Sequence, residues 1–181
     1  MPEALVEADE AVVTARLLED PRLLGHALIV LALARQANTE PAVHVGQQAV
    51  IEMERAHDDW GLALGVFYLG VIAVFEDLPD VARTALDRSE RLFSALGDHW
   101  GLGGVYFYLG MLSREAGELE VARKLTEESV ELLRDAGDRW REATALRGLA
   151  EIVRRQGGDA TTIVDEARRL REELGVRKSS A

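Results

Sequence analysis

The chain predicts an all-α solenoid of about four helical hairpins and about nine helices, on three observations. Asp58-Asp59-Trp60, Asp98-His99-Trp100 and Asp138-Arg139-Trp140 recur at intervals of 40 residues. Between them Phe67-Tyr68-Leu69-Gly70 returns as Phe107-Tyr108-Leu109-Gly110, Val81-Ala82-Arg83 as Val121-Ala122-Arg123, and Ala95-Leu96-Gly97-Asp98 as Asp135-Ala136-Gly137-Asp138. Each period is also cut near its middle by a turn, so that it holds two segments of helix length. A unit of this size cannot bury its apolar face alone and stacks on its neighbours.

In chain order, residues 3–18 read as a first helix, with Leu5, Val6, Val12, Val13, Leu17 and Leu18 on or near one stripe. Asp20-Pro21 ends it and starts the next, with Asp at the N-cap and Pro as the first helical residue. The first repeat, 20–57, is degraded: Leu24, Leu28, Ile29 and Leu31 stand where Leu64, Tyr68, Leu69 and Val71 stand one period later. Its second helix is expected over 40–56, with Thr39 as the cap and Pro41 tolerated in the first turn. The second repeat, 58–97, splits near Glu76-Asp77-Leu78-Pro79. The third, 98–137, splits at Ala116-Gly117-Glu118, where Gly supplies the left-handed residue that ends a helix. The fourth, 138–175, keeps the apolar stripe in Leu146, Leu149, Ile152 and Val153 but places Arg147, Glu151, Arg154 and Arg155 around it. Its last helix, 159–174, is rich in Arg and Glu, as the solvent-facing end of a solenoid should be. Residues 1–18 read as the second helix of an otherwise absent repeat, either because the chain is a piece of a longer protein or because its cap is abbreviated. The expectation is one domain over 1–181, with 176–181 as a tail.

Composition narrows the function classes. With 181 residues, 48% of them apolar, the chain can bury a core without disulfide or metal, and having no cysteine it can form neither a disulfide nor a thiolate zinc site. Acids in Met1-Pro2-Glu3-Ala4-Leu5-Val6-Glu7 do not suit a secretory leader, and the reading is cytoplasmic. Trp60 to Phe75 is a nearly unbroken apolar run, but its counterparts one period away carry charge, so it reads as a buried solenoid helix and not as a membrane span. A net charge of −11 argues against direct binding to nucleic acid. Arg154-Arg155, Arg168-Arg169 and Arg171, interspersed with acids, read as a solvated face. His26, His44, His57 and His99 show no metal-ligand spacing, and neither a nucleophile elbow nor a phosphate loop is present. The expectation is a chain without enzyme activity, cofactor or metal.

The repeating residues resemble the tetratricopeptide repeat over about residues 20–175. The mid-helix Leu-Gly pair of that family appears as Leu69-Gly70 and Leu109-Gly110, becoming Leu149-Ala150; the turn is Asp77, Gly117 and Gly157. The small residues of the second helix are Ala82, Ala122 and Ala160, then Ser89 and Ser129. The family's usual period is about 34 residues. The longer period and the Gly-Asp-x-Trp junction here are similar to repeats in large bacterial transcription activators of the LuxR and antibiotic-regulator type. The resemblance implies a right-handed α–α superhelix serving as a protein- or peptide-interaction scaffold, and specifically the sensor or regulatory segment of such a regulator.

Trp60, Trp100 and Trp140, with Gly70 and Gly110, read as structural repeat residues, the tryptophans wedged between hairpins. Removing a buried one would cost on the order of 3–5 kcal/mol. In the register the resemblance implies, the concave face is built by the first helices: Leu24, Ala27 and Leu31; Leu64, Phe67, Val71 and Phe75; Gly104, Phe107, Met111 and Arg114; Thr144, Arg147, Glu151 and Arg154. Such a groove runs from apolar to basic. Either it takes a peptide, an amphipathic helix or a small apolar effector, with Arg147 and Arg154 on an acidic end, or neighbouring helices or a homodimer partner bury it.

Overall fold

Four aspartates set the frame. Asp20, Asp58, Asp98 and Asp138 each stand in extended or near-extended backbone and accept hydrogen bonds from the first-turn amides, at 2.9 Å from Arg22, Gly61, Gly101 and Arg141. Each therefore starts the first helix of a repeat. The computed structural model describes residues 2–175, so the tail expected over 176–181 lies outside the described residues, and it holds, among those described, nine helices and no strand. They are α1 (Pro2–Leu17), α2 (Pro21–Ala37), α3 (Val43–Ala56), α4 (Asp59–Phe75), α5 (Pro79–Leu96), α6 (His99–Glu115), α7 (Leu119–Asp135), α8 (Arg139–Arg155) and α9 (Thr161–Glu173).

Left-handed residues close the helices. In the later repeats they are glycines, such as Gly117 at φ 82°; in the earlier ones Glu19, Thr39, His57 and Asp77 take the same conformation at φ 50–59°. Thr39 is thus a helix terminator and not the cap expected of it. α3 begins at Val43, after Pro41, and its N-cap residue Ala42 has no side-chain acceptor to offer. The Glu76 carboxylate, from the end of α4, accepts from the amides of Ala42 and Val43 instead. α9 is started from outside its N-cap residue Ala160: Asp159 accepts from the Thr161 amide and hydroxyl, and these bonds hold its carboxyl below the usual range.

The chain forms two compact units, Met1–Leu96 and Gly97 onward, divided at a repeat boundary. In the first unit each helix packs on the next, and α2 also packs on α4; in the second, α6–α9 pack in sequence and α6 also meets α8. First helices thus touch first helices, which is how hairpin repeats stack. Within the hairpins, equivalent positions pair. The hydroxyls of buried Ser89 and Ser129 donate to the carbonyls of Ala63 and Gly103 at 3.0 and 2.7 Å. A Cβ on Gly70 would sit 2.8 Å from Leu86 Cγ, and one on Gly110 2.5 Å from Thr126 Oγ1, so the missing side chain is what lets the two helices of each hairpin close up.

The first helix departs from its expected stripe. Its core side is Ala8, Val12 and Ala15, packed with Leu5 on α2, whereas Val6, Val13, Leu17 and Leu18 face solvent. Small residues at 8 and 15 let α1 lie close to α2, and this turns the larger side chains outward.

Candidate functional site

The second unit holds an open groove of about 850 Å³ lined by three helices. α6 gives Phe107, Met111 and Arg114; α8 gives Thr144, Arg147, Glu151 and Arg154; α9 gives Val164, Arg168 and Arg171, with Glu172 at the edge. The positions on each helix follow the i, i+3, i+4, i+7 spacing of one helical face. Its floor is apolar. Ala150 and Ala167 are buried beneath it, and Gly148 admits the Phe107 ring, since a Cβ there would lie 3.3 Å from Phe107 Cε2.

The rim is basic. Five arginines face two glutamates in the lining, in a chain whose net charge is −11. Arg114 is held by both Nε and Nη2 on Glu115, at 3.0 and 2.8 Å; Arg168 pairs with Asp165; and Glu151 is engaged by Arg155 at 3.2 Å. Arg147, Arg154 and Arg171 are exposed and have no ion-pair partner among the described residues. Three solvated guanidinium groups above an apolar floor can donate bidentately to carboxylates while apolar side chains pack below.

Of the concave positions expected from sequence, Phe107, Met111, Arg114, Thr144, Arg147, Glu151 and Arg154 do line this groove together. Those of the first unit do not offer a comparable surface. Phe67 is 2% exposed, lying edge-on to Phe93 at 6.5 Å between ring centres, and Val71 is buried as well; Leu64 is half-buried and only Phe75 is exposed. The apolar character of α4 is largely taken up by packing. Leu31 and Ala27 are buried in the core of the same unit, and Leu24 packs against it.

The three tryptophans do not share one role. Trp100 forms a clasp: its Nε1 donates to Asp138 Oδ2 at 2.9 Å while the Arg141 guanidinium lies 4.1 Å over its ring. Asp138 therefore caps α8 with one oxygen and holds the preceding repeat with the other. Trp60 and Trp140 stand at the surface, Trp140 with 61% of its area exposed, so neither is a buried wedge. The contribution of α9 to the groove was not read from sequence, because its arginines are mixed with acids. The spacing of Val164, Arg168 and Arg171 was the available signal.

Among the described residues no group of three or more His, Asp or Glu is placed to hold a metal ion, and no helix is long and apolar enough to cross a membrane.

No family model and no curated protein matches this chain. Its fold is shared with solved structures. BtubC (BKLC) from P. vanneervenii is 16% identical with a TM-score of 0.62, over 99% of this chain and 94% of that one. MamA is 16% identical with a TM-score of 0.53, over 100% of this chain and 99% of that one. At this identity the likeness shows the fold alone, an all-helical, TPR-like α–α solenoid.

Proposed function

We propose that the chain is a non-enzymatic protein-interaction scaffold whose α6/α8/α9 groove takes a segment of a partner that carries both acidic and apolar side chains. The observation that carries this reading is the set of Arg147, Arg154 and Arg171, unpaired and exposed beside Phe107 and Met111. Other surface arginines of this chain find internal carboxylates, as Arg123 does with Glu127 and Arg139 with Glu173. A cluster that does not is available to an outside anion. The TPR-like fold supports protein binding in general. The likeness of the 40-residue Gly-Asp-x-Trp repeats to those of large bacterial transcription activators supports a sensor or regulatory role for that binding.

A random-peptide display selection on the immobilised protein tests this. Recovered peptides should alternate Asp or Glu with large apolar residues, and Arg147→Glu combined with Arg154→Glu should lower their affinity by about tenfold or more. Peptides of neutral or basic character, or binding indifferent to the double variant, would overturn the reading. The alternative of a small-molecule effector draws on the groove volume, which lies within the range of about 300–1,000 Å³ typical of such sites. That reading predicts an apolar ligand on the Phe107–Met111 floor whose affinity does not depend on salt.

A further inference from the structure

We infer that the groove of one molecule accepts helix α1 of a second copy, joining molecules head to tail; this rests on the groove being a protein-binding surface. The motivating feature lies in the first unit. α1 is docked by one side only, through Ala8, Val12 and Ala15. Its other side presents Val6, Val13 and Leu17, which are 56, 54 and 80% exposed. Three large apolar residues at i, i+7 and i+11 make a stripe that water solvates poorly.

The stripe is also acidic. Glu3, Val6, Glu10, Val13 and Leu17 follow one another on the same helical face, with Asp9 beside them, and Glu3, Asp9 and Glu10 have no ion-pair partner among the described residues. The helix thus carries the chemistry that complements the groove, carboxylates interleaved with apolar side chains. The spacing also matches. Glu3 to Glu10 and Arg147 to Arg154 are each seven residues of helix, about 10 Å at 1.5 Å per residue. Elsewhere two copies of a chain of net charge −11 repel one another, so a contact that places acids on the arginine-rich groove is favoured over most others.

Helix and groove are different patches, so the contact is heterologous: it propagates into chains or closes into rings, the smallest being a reciprocal pair. A partner segment entering the groove must displace α1, which makes assembly and partner binding mutually exclusive.

The test is sedimentation and light-scattering mass of the full chain and two variants, Val13→Lys with Leu17→Lys and Arg147→Glu with Arg154→Glu. All four positions are exposed, and circular dichroism confirms that the variants are folded. The parent should rise above its 19.9 kDa monomer mass with concentration and fall back in high salt. Each variant alone should stay monomeric. Their equimolar mixture should form 1:1 dimers and nothing larger, since one retains the groove and the other retains the helix. As a second pair, Glu3→Lys with Glu10→Lys should abolish association with the parent groove and restore it with the Arg147→Glu, Arg154→Glu groove. A parent that is monomeric up to about 1 mM, or a mixture that stays monomeric, overturns the inference. The display result above stands independently of it, so failure of self-association is distinguishable from failure of the groove.

Discussion

Replacing Arg134 by Met is expected to destabilise the second unit by about 3–5 kcal/mol, because it strands a buried carboxylate. Glu142, in the first turn of α8, is 1% exposed, and its Oε1 accepts from Arg134 Nε at 2.7 Å. That hydrogen bond holds the Arg134 guanidinium above its ordinary pKa, so the arginine stays charged throughout the neutral range. Arg134 reaches from α7 to α8 and, through Nη2, to Glu166 of α9 at 2.9 Å, so one guanidinium ties three helices. The Glu142 Oε2 atom is buried without a protein partner, and removal of the arginine leaves both oxygens uncompensated. The double variant Arg134→Met with Glu142→Leu should recover most of the loss, because desolvation of the charge disappears with it. Urea denaturation of parent, single and double variants, followed by circular dichroism, measures both effects. A single variant within about 1 kcal/mol of the parent would show that the pair contributes no more than an exposed one.

Phe93→Ala is expected to cost the first unit about 3–5 kcal/mol. The ring is fully buried, touches Phe67 edge-on, and is the largest of the fully buried side chains. Its equivalent one period later is Leu133, which is accommodated because position 103 is Gly where position 63 is Ala; a Cβ on Gly103 would lie 2.7 Å from Leu133 Cγ. The two units therefore solve the same packing problem with different volumes, and Phe93 has no such slack. Thermal unfolding in which the first unit melts many degrees early while the second is unmoved is the expected pattern. Equal shifts in both would mean that the two do not unfold separately.

Much of the fold was legible because the 40-residue period repeats its cap, its close-approach glycines and its turn residues at fixed offsets. Asp58, Asp98 and Asp138 announce helix starts by chemistry alone, and the contacts at Gly70 and Gly110 explain why those positions admit no larger residue. The misreadings fall where a long-range partner replaces a local signal. Thr39 has the composition of a cap, yet Glu76, more than thirty residues on, supplies it to α3. Likewise α1 has large apolar residues on both sides, and only tertiary contact with α2 decides that Val12 turns inward and Val13 outward.

The groove was half legible. The register implied by the repeat resemblance placed Phe107, Met111, Arg114, Thr144, Arg147, Glu151 and Arg154 on one surface, and they line it together. For Phe67 and Val71 the sequence left open whether the face is exposed or covered, because periodicity reports which residues share a side of a helix but not whether a neighbour already covers that side. The arginines of α9 were hidden by interspersed acids: Glu172 lies at the groove edge, while Glu166 is engaged by Arg134.

The most direct test of the groove as the partner-binding surface is an amide chemical-shift map of the isotope-labelled protein during titration with a display-selected acidic peptide. Shifts concentrated at Phe107, Met111, Thr144, Arg147, Glu151, Val164 and Arg171 are predicted, weakening as salt is raised. Saturable shifts confined to the exposed sides of α5 and α7, with the α6, α8 and α9 groove unmoved, would contradict it.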